Sequence, residues 1–193
     1  MSAAQRRRQL LDVATRLAIE QGFHAVSVER VARGAGITRA VIYQRFGGRQ
    51  GLLEAVIRRE TSRALAQVTE SALSGLETGD PKELMLESLA AHLGAVRDHP
   101  TTWRLVLIPP DGAPTSLRRS IARGQALILE HLTRAVRPAI GDGSSGEAEL
   151  TARVLCAISD EYARLLLTDP GRYPPERLLR HARRWLDDVA FAR

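Results

Sequence analysis

The spacing of the apolar residues is the feature that most constrains the fold of this chain. Almost everywhere these residues recur three and four positions apart, which is the pattern of the buried face of an α-helix. No segment shows the strict alternation that a half-buried strand requires. Glycine and proline interrupt the pattern repeatedly and divide the chain into about nine helices. The sequence therefore predicts an all-α architecture.

Local start and stop signals predict four helices in the first third of the chain. Serine and threonine favour the residue before a helix, and glycine favours the residue after it. The signals are, in order, Gly22 as the end of a first helix, Ser27 and Gly36 as the start and end of a second, Thr38 and Gly47-Gly48 as the start and end of a third, and Arg49 as the start of a long fourth helix.

Five further helices are predicted downstream. The first begins at Asp80-Pro81, because an aspartate cap followed by proline is a strong start signal. The others are a short helix at residues 103–108, a helix from Leu117 that Pro138 stops, and two helices at residues 147–168 and 175–191. Residues 109–114 and 141–146 are rich in turn-forming residues and predict loops.

Composition excludes several classes of protein. Hydrophobic residues make up 44% of the chain and charged residues 26%, which is the balance of a soluble globular protein. No apolar run is long enough to span a bilayer, and no apolar stretch follows the N-terminal arginines as in a secretory signal. Cys156 is the single cysteine, so neither an internal disulfide nor a multi-cysteine metal site is expected. We expect a cytoplasmic protein without a cofactor.

The positive charge is concentrated at one end of the chain. The formal net charge is +6, and residues 1–60 contain eleven arginines against five acidic residues. The charges of residues 61–193 balance, so the whole excess lies in the first third. A clustered positive end predicts a polyanionic partner, which is either nucleic acid or an acidic membrane surface.

Residues 27–53 have the residue types of a helix-turn-helix. Gly36 can adopt the positive φ that a tight turn needs, and the small Ala32 lets two short helices approach closely. The residues predicted to fill the space between the helices are Val31, Ile37 and Ile42, and those left on the open face are Thr38, Arg39, Ala40, Tyr43 and Gln44. This face starts at the N-terminus of the second helix, the end that enters the major groove in helix-turn-helix proteins.

The same segment resembles a known family. Residues 31–46 are VARGAGITRAVIYQRF, followed by Arg49 and by Leu52-Leu53. In these positions the sequence resembles the DNA-binding domain of TetR-family transcriptional regulators, over residues 8–56. The departures from the family pattern are Gly48 in place of Ser or Asn, Arg49 in place of Lys, Gln50 in place of Glu, and Arg30 in place of the Glu that completes a capping box.

The resemblance implies a homodimer that binds a palindromic operator in double-stranded DNA, most often as a repressor. It implies a helix-turn-helix DNA-binding domain at residues 1–50. It further implies a helical domain at residues 51–193 that dimerises and binds an unknown small-molecule effector, with the fourth helix bridging the two. Activators and ligand-independent regulators share this fold, so these alternatives stay open.

The resemblance also assigns DNA contacts by position. It implies that Thr38, Tyr43 and Arg49 bind phosphate oxygens, that Arg39, Ala40 and Gln44 face base edges, and that Arg6, Arg7 and Arg8 lie against the backbone or an adjacent minor groove. Alternatives stay open for two of these assignments. Tyr43 could pack against Phe46 instead, and the arginine run could be a solvated helix end.

The last two predicted helices carry an apolar stripe. In the family these helices pair with those of a second subunit in a four-helix bundle. The resemblance therefore assigns the dimer interface to Leu150, Val154, Ile158 and Leu165 on one helix and to Leu178, Ala182 and Leu186 on the other. The core of a single subunit also explains this stripe.

Unusual residues in the middle helices are the candidates for an effector pocket. Aromatic residues make up only 4% of the chain, and Trp103 and Tyr162, which lie among apolar residues, are the preferred candidates. The further candidates are His99 and His131, and the unusual residues of the same region also include His92 and Trp185. A core or surface position explains each of them as well.

Two other functional classes compete with this interpretation. An enzyme is not supported, because the chain contains no zinc-protease, phosphate-loop or nucleophile-elbow motif. Cys156 lies in an apolar segment, where a buried and inert thiol is expected. A basic helical protein that binds a membrane or a partner is the second alternative. Duplex binding that survives competitor DNA separates a sequence-specific regulator from a merely basic surface.

Overall fold

A computed structural model gives the structure of residues 1–73, 80–140 and 145–187. Within these ranges the chain forms nine α-helices, a 3-10 turn at Phe23–Ala25 and no β-strand. The helices are α1 (Ala3–Gln21), α2 (Val28–Ala35), α3 (Arg39–Phe46), α4 (Arg49–Leu73), α5 (Pro81–Asp98), α6 (Pro100–Leu107), α7 (Thr115–Ile140), α8 (Ser145–Thr168) and α9 (Pro175–Trp185). The predicted all-α class is confirmed. None of the described helices is both long and apolar enough to span a membrane.

Side-chain caps and glycine fix the ends of the first helices. The Ser2 hydroxyl accepts a hydrogen bond from the backbone N–H of Gln5, and the Gln5 side chain accepts one from the backbone N–H of Ser2. The Ser27 hydroxyl caps α2 by accepting from the N–H of Arg30. Gly36 ends α2 with a φ of 64°, in the left-handed region that favours glycine. The predicted tight turn is confirmed.

The C-terminal helices differ from the prediction at their ends. α7 runs through Pro138 to Ile140, so the prediction that Pro138 stops this helix is wrong. Because the proline lies in the last turn, its missing N–H and its ring disturb only the end of the helix. Most of the predicted loop at 141–146 lies outside the described residues, as does the part of the predicted last helix beyond residue 187.

Two hydrophobic clusters form most of the core in the described part of the chain. The first joins α1, α2, α3 and the start of α4, and it includes Leu105 of α6. The second joins the later part of α4 to α5, α6, α8 and α9, and it includes Trp103 and Leu107 of α6. Along α4 the change of cluster falls between Ile57 and Ala64. α6 therefore packs into both halves of the protein.

A buried carboxylate lies where the two clusters meet. Glu60 of α4 is only 1% exposed, and the Thr102 hydroxyl of α6 donates to its Oε2 at 2.5 Å. Arg59 donates through Nε to Oε1 of Glu60 at 2.6 Å. The Arg59 guanidinium also donates to Asp12 at 2.7 Å and to Thr15 at 3.1 Å, both on α1. One polar network, named here the Glu60 network, thus joins α1, α4 and α6.

Candidate DNA interface and internal cavity

α2 and α3 form a helix-turn-helix. Val31 of α2 and Ile42 of α3 are fully buried, and Ile37 in the turn is half-buried against the same cluster. The backbone N–H of Ile37 donates to the carbonyl of Ala32 at 3.0 Å and closes the turn. The predicted packing of these residues is confirmed. It holds one side of α3 against the core and leaves the other side open.

The open side of α3 carries polar side chains. The exposed residues on it are Thr38, Arg39, Ala40, Tyr43 and Gln44. Tyr43 is 56% exposed and its ring lies beside Gly48, so more than half of the residue faces outward, and the alternative in which it packs against Phe46 stays open. Thr38 precedes the first turn, and its hydroxyl makes no capping hydrogen bond. Hydroxyl, guanidinium and amide groups are therefore displayed together near a helix N-terminus, where donors to phosphates and to base edges are needed.

An ion pair crosses this face between α2 and α3. Arg39 Nη1 lies 3.5 Å from Glu29 Oε1, and both side chains are more than half exposed. Hydrogen bonds from the Glu29 backbone N–H and from Ser27, with a smaller effect of Arg39, hold the pKa of Glu29 below its ordinary value. Because an exposed pair of this kind is weak, Arg39 can exchange Glu29 for an acceptor on DNA. The sequence analysis missed Glu29, because the two partners lie on different helices.

Arg49 has a structural role that the sequence did not predict. Its Nε donates to the carbonyl of Val26 at 2.6 Å, and its Nη2 donates to the carbonyl of Phe23 at 2.9 Å. These bonds tie the first turn of α4 to the segment that leads into α2. Two of its three guanidinium nitrogens are therefore used within the protein. A phosphate contact through Nη1 stays a prediction.

The N-terminal arginines lie in the first turns of α1, beside the end of α3. The Arg7 guanidinium carbon is 5.6 Å from the centre of the Phe46 ring, within reach of a cation–π interaction. Arg45 Nη1 donates to the carbonyl of Ala3 at 3.4 Å. These contacts place the basic run next to the recognition face. The contact of Arg6, Arg7 and Arg8 with DNA stays a prediction.

A cavity of about 660 Å³, partly open to the surface, lies among α4, α5, α6, α7, α8 and α9. Of the pocket candidates, Trp103, Tyr162 and His131 line this cavity, and their contact with an effector stays a prediction. His99 does not line it. The residue is exposed at the junction of α5 and α6, directly before Pro100, so this cavity does not support its assignment to the pocket, which stays a prediction.

His92 also lines the cavity, although the sequence did not place it among the preferred pocket candidates. Burial alone lowers the pKa of its imidazole to about 4, and neither ring nitrogen has a hydrogen-bond partner. The ring contacts Trp103 edge to face, with ring centres 4.7 Å apart and an angle of 85° between the planes. Leu89, Leu93 and Val96 of the same helix are also buried. Helical spacing alone therefore places His92 on the buried stripe of α5.

The two helices assigned to the dimer interface differ in exposure. On α8, Leu150 is 56% exposed and Val154 is 44% exposed, while Ile158 and Leu165 are half-buried. On α9, the predicted interface residues are all buried in the second cluster of the same subunit: Leu178, Ala182 and Leu186. This stripe of α9 packs within the subunit, and its contribution to a dimer interface stays a prediction. The sequence showed the stripe but not its partner.

An open recognition helix on a helical body defines a DNA-binding protein of the helix-turn-helix class. Residues 10–56 match the family model of bacterial regulatory proteins of the tetR family. These residues carry the DNA-binding domain of TetR-type helix-turn-helix regulators, and the relatives and solved structures below support the same class of transcription regulator. Members of this family are transcription regulators rather than enzymes.

Relatives and solved structures extend the similarity beyond the first helices. The transcriptional regulator Rv1255c of Mycobacterium tuberculosis is 27% identical over 166 residues, which are 85% of this chain and 75% of that protein. A TetR-like regulator from Rhodococcus sp. RHA1 has a TM-score of 0.76 at 21% identity, covering 95% of this chain and 94% of that one. A regulator from Saccharomonospora viridis, solved in complex with choline, has a TM-score of 0.71 at 19% identity, covering 96% and 97%.

Proposed function

We propose that this chain is a homodimeric repressor that binds a palindromic operator and is released from it by a small-molecule effector. The exposed face of α3 is the observation that carries this proposal. In it, residues 1–50 bind DNA, residues 51–193 dimerise and hold the effector, and α4 bridges the two parts. The protein acts in the cytoplasm, where its DNA partner is found.

The recognition face supports specific contacts. Arg39 is suited to the O6 and N7 acceptors of guanine, and Gln44 to N6 and N7 of adenine. Ala40 lies between them and leaves room for a base edge. Thr38 and Tyr43 donate their hydroxyls to phosphates, which positions the helix without specifying sequence. Arg6, Arg7 and Arg8 extend the phosphate contacts along the duplex.

The exposed apolar stripe of α8 supports dimerisation. Leu150 and Val154 lie one turn apart, and Ile158 and Leu165 continue the same side of the helix. A two-fold dimer uses the same patch on both subunits, so one exposed stripe is enough to form an interface. A dimer also supplies the two recognition helices that a palindromic site needs.

The position of α6 supports a connection between effector and DNA. Trp103 of α6 lines the cavity, while Thr102 on the same helix is bonded to Glu60 in the Glu60 network. An effector that displaces α6 therefore acts on α1 and α4, the two helices that flank the helix-turn-helix along the chain. Coupling of this kind is reciprocal, so the operator must weaken effector binding by the same factor.

Two substitutions on α3 test the DNA contacts. Gln44→Ala is expected to cost about 1–3 kcal/mol of binding free energy at one base position and to relax specificity there. Tyr43→Phe removes only a phosphate donor and is expected to weaken all sequences about equally, by roughly 1 kcal/mol. Affinities for a selected operator and its single-base variants measure both effects. Because both residues are exposed, unchanged thermal stability serves as the control. Wild-type binding by both variants would contradict the assigned face.

One substitution on α8 tests the dimer. Val154→Glu is expected to convert the dimer to a 21.2 kDa monomer at micromolar concentration, because it places two carboxylates in an apolar interface. Sedimentation velocity measures the change. Ile108→Glu is the matched control, since Ile108 is 41% exposed and lies outside α8. A monomeric wild-type protein, or a dimer that tolerates Val154→Glu, would contradict this interface.

A further inference from the structure

The inference concerns the chemistry of the effector and rests on the proposed regulatory function. We propose that the cavity binds an apolar molecule with an uncharged, hydroxyl-type head group, and that His92 forms the hydrogen bond to this head group. Three features carry the proposal: the unsatisfied nitrogens of His92, the satisfied polar groups of the neighbouring Trp103 and Tyr162, and the pairing of the charged groups in the cavity lining.

His92 holds the unsatisfied polar atoms of the cavity. In the part of the chain that the structure describes, its two ring nitrogens are the buried side-chain polar atoms without a hydrogen-bond partner. A buried polar group without a partner is costly and calls for an explanation in a folded protein. The explanation that fits a cavity-lining residue is a ligand.

Trp103 and Tyr162, which also line the cavity, already have hydrogen-bond partners. Trp103 Nε1 donates to Gln67 Oε1 at 2.9 Å. The Tyr162 hydroxyl lies 2.7 Å from His181 Nδ1. Neither group needs a ligand to complete its hydrogen bonding. Of these three buried rings, His92 is therefore the one whose polar atoms still lack a partner.

The protonation state of His92 selects the type of head group. With its pKa lowered to about 4, the imidazole is neutral at neutral pH and offers one N–H donor and one nitrogen acceptor. A hydroxyl can accept from the first or donate to the second. A quaternary ammonium group offers neither, and a carboxylate would have to be desolvated beside an uncharged ring.

The charged residues of the lining are each paired with a residue of opposite charge, so none of them is an unpaired counter-charge for a charged head group. Arg134 and Arg153 are exposed, and each is paired with an acidic residue one turn away on its own helix. Asp160 is partly buried, which raises its pKa, and it lies 3.8 Å from Arg164. The remaining lining is mainly aliphatic, and the volume of about 660 Å³ is in the range of small-molecule sites. The apolar part of the effector fills this volume.

Three probes that share a ten-carbon chain and differ in their head group test the proposal: decanol, decanoate and decyltrimethylammonium. Each is titrated calorimetrically into the wild-type protein, into His92→Phe and into His24→Phe. We expect wild type to bind decanol about tenfold more tightly than either charged probe. His92→Phe should lose about tenfold in decanol affinity, with no change for decyltrimethylammonium. His24→Phe is the control, because His24 is exposed and lies outside the cavity lining, and its decanol affinity should stay within about twofold of wild type.

Thermal melting distinguishes ligand binding from a merely structural role of His92. Phenylalanine keeps the ring and removes the unsatisfied nitrogens, so His92→Phe should melt no lower than wild type. Equal affinity for all three probes, or an unchanged decanol affinity in His92→Phe, would overturn the inference. Operator binding is measured separately, with and without decanol. Head-group selectivity without operator release supports the inference and contradicts the ligand-released repressor. Operator binding without any selectivity among the probes overturns the inference about the head group and leaves the proposed DNA-binding function standing.

Discussion

Replacing Glu60 by alanine is expected to lower the free energy of unfolding by about 3–5 kcal/mol, the cost of breaking a buried charge network. The Glu60 carboxylate is fully enclosed and accepts hydrogen bonds from Thr102 on α6 and Arg59 on α4. Its removal leaves the Thr102 hydroxyl without its acceptor and Arg59 with Asp12 as its remaining acidic partner. Urea unfolding at neutral pH, followed by circular dichroism, measures the loss.

Glu54→Ala is the matched control for this prediction. Glu54 lies on the same helix, is exposed, and accepts a hydrogen bond from Gln50. Its replacement should change stability by less than about 0.5 kcal/mol. Glu60→Gln keeps the shape and an acceptor for Thr102, so it should lie between the two and remain folded. If Glu60→Ala were as stable as Glu54→Ala, the network would not hold α6 to α1 and α4.

The wild-type protein is expected to lose about 3 kcal/mol more stability than His92→Phe when the pH falls from 7 to 4. The pKa of His92 is about 4 in the folded state, against 6.5 for an unperturbed histidine, so the unfolded chain binds the proton first. The contribution of the neutral His92 to the free energy of unfolding is therefore fully present above pH 6.5 and is lost as the pH falls toward 4. Phenylalanine has no proton to bind and removes this part of the pH dependence.

Urea unfolding of both proteins at several pH values measures this difference. The carboxylates titrate in both proteins, so the difference between the two curves isolates His92. Parallel curves for wild type and His92→Phe would show that the imidazole is solvated in the folded state.

The helix-turn-helix was largely predictable because its determinants are local. Ser27, Gly36 and Thr38 set the ends of α2 and α3, and the apolar residues between them have one buried arrangement. The exposed face of α3 follows from helical geometry once those residues are placed. Arg49 shows the limit of such reasoning. Its partners Phe23 and Val26 lie more than twenty residues earlier, and no local pattern connects them.

The C-terminal half was less predictable because its residues have alternative partners in three dimensions. Leu178 and Val154 both belong to apolar stripes, yet the first is buried within the subunit and the second is exposed. A stripe shows that a surface is covered, but not by which helix. His92 and His99 differ in the same way. Helical spacing places His92 on a buried face, but the residue type alone does not distinguish it from the exposed His99.

Selection of bound duplexes from a random pool tests the central claim, sequence-specific DNA binding by a dimer, most directly. The full-length protein is incubated with the pool in the presence of competitor DNA, and the retained duplexes are sequenced. We predict an enriched palindrome whose half-sites are spaced for two recognition helices on one face of the duplex. The Gln44→Ala protein should lose the preference at one position in each half-site. A pool without enrichment, or enrichment of a single asymmetric site, would contradict the dimeric repressor.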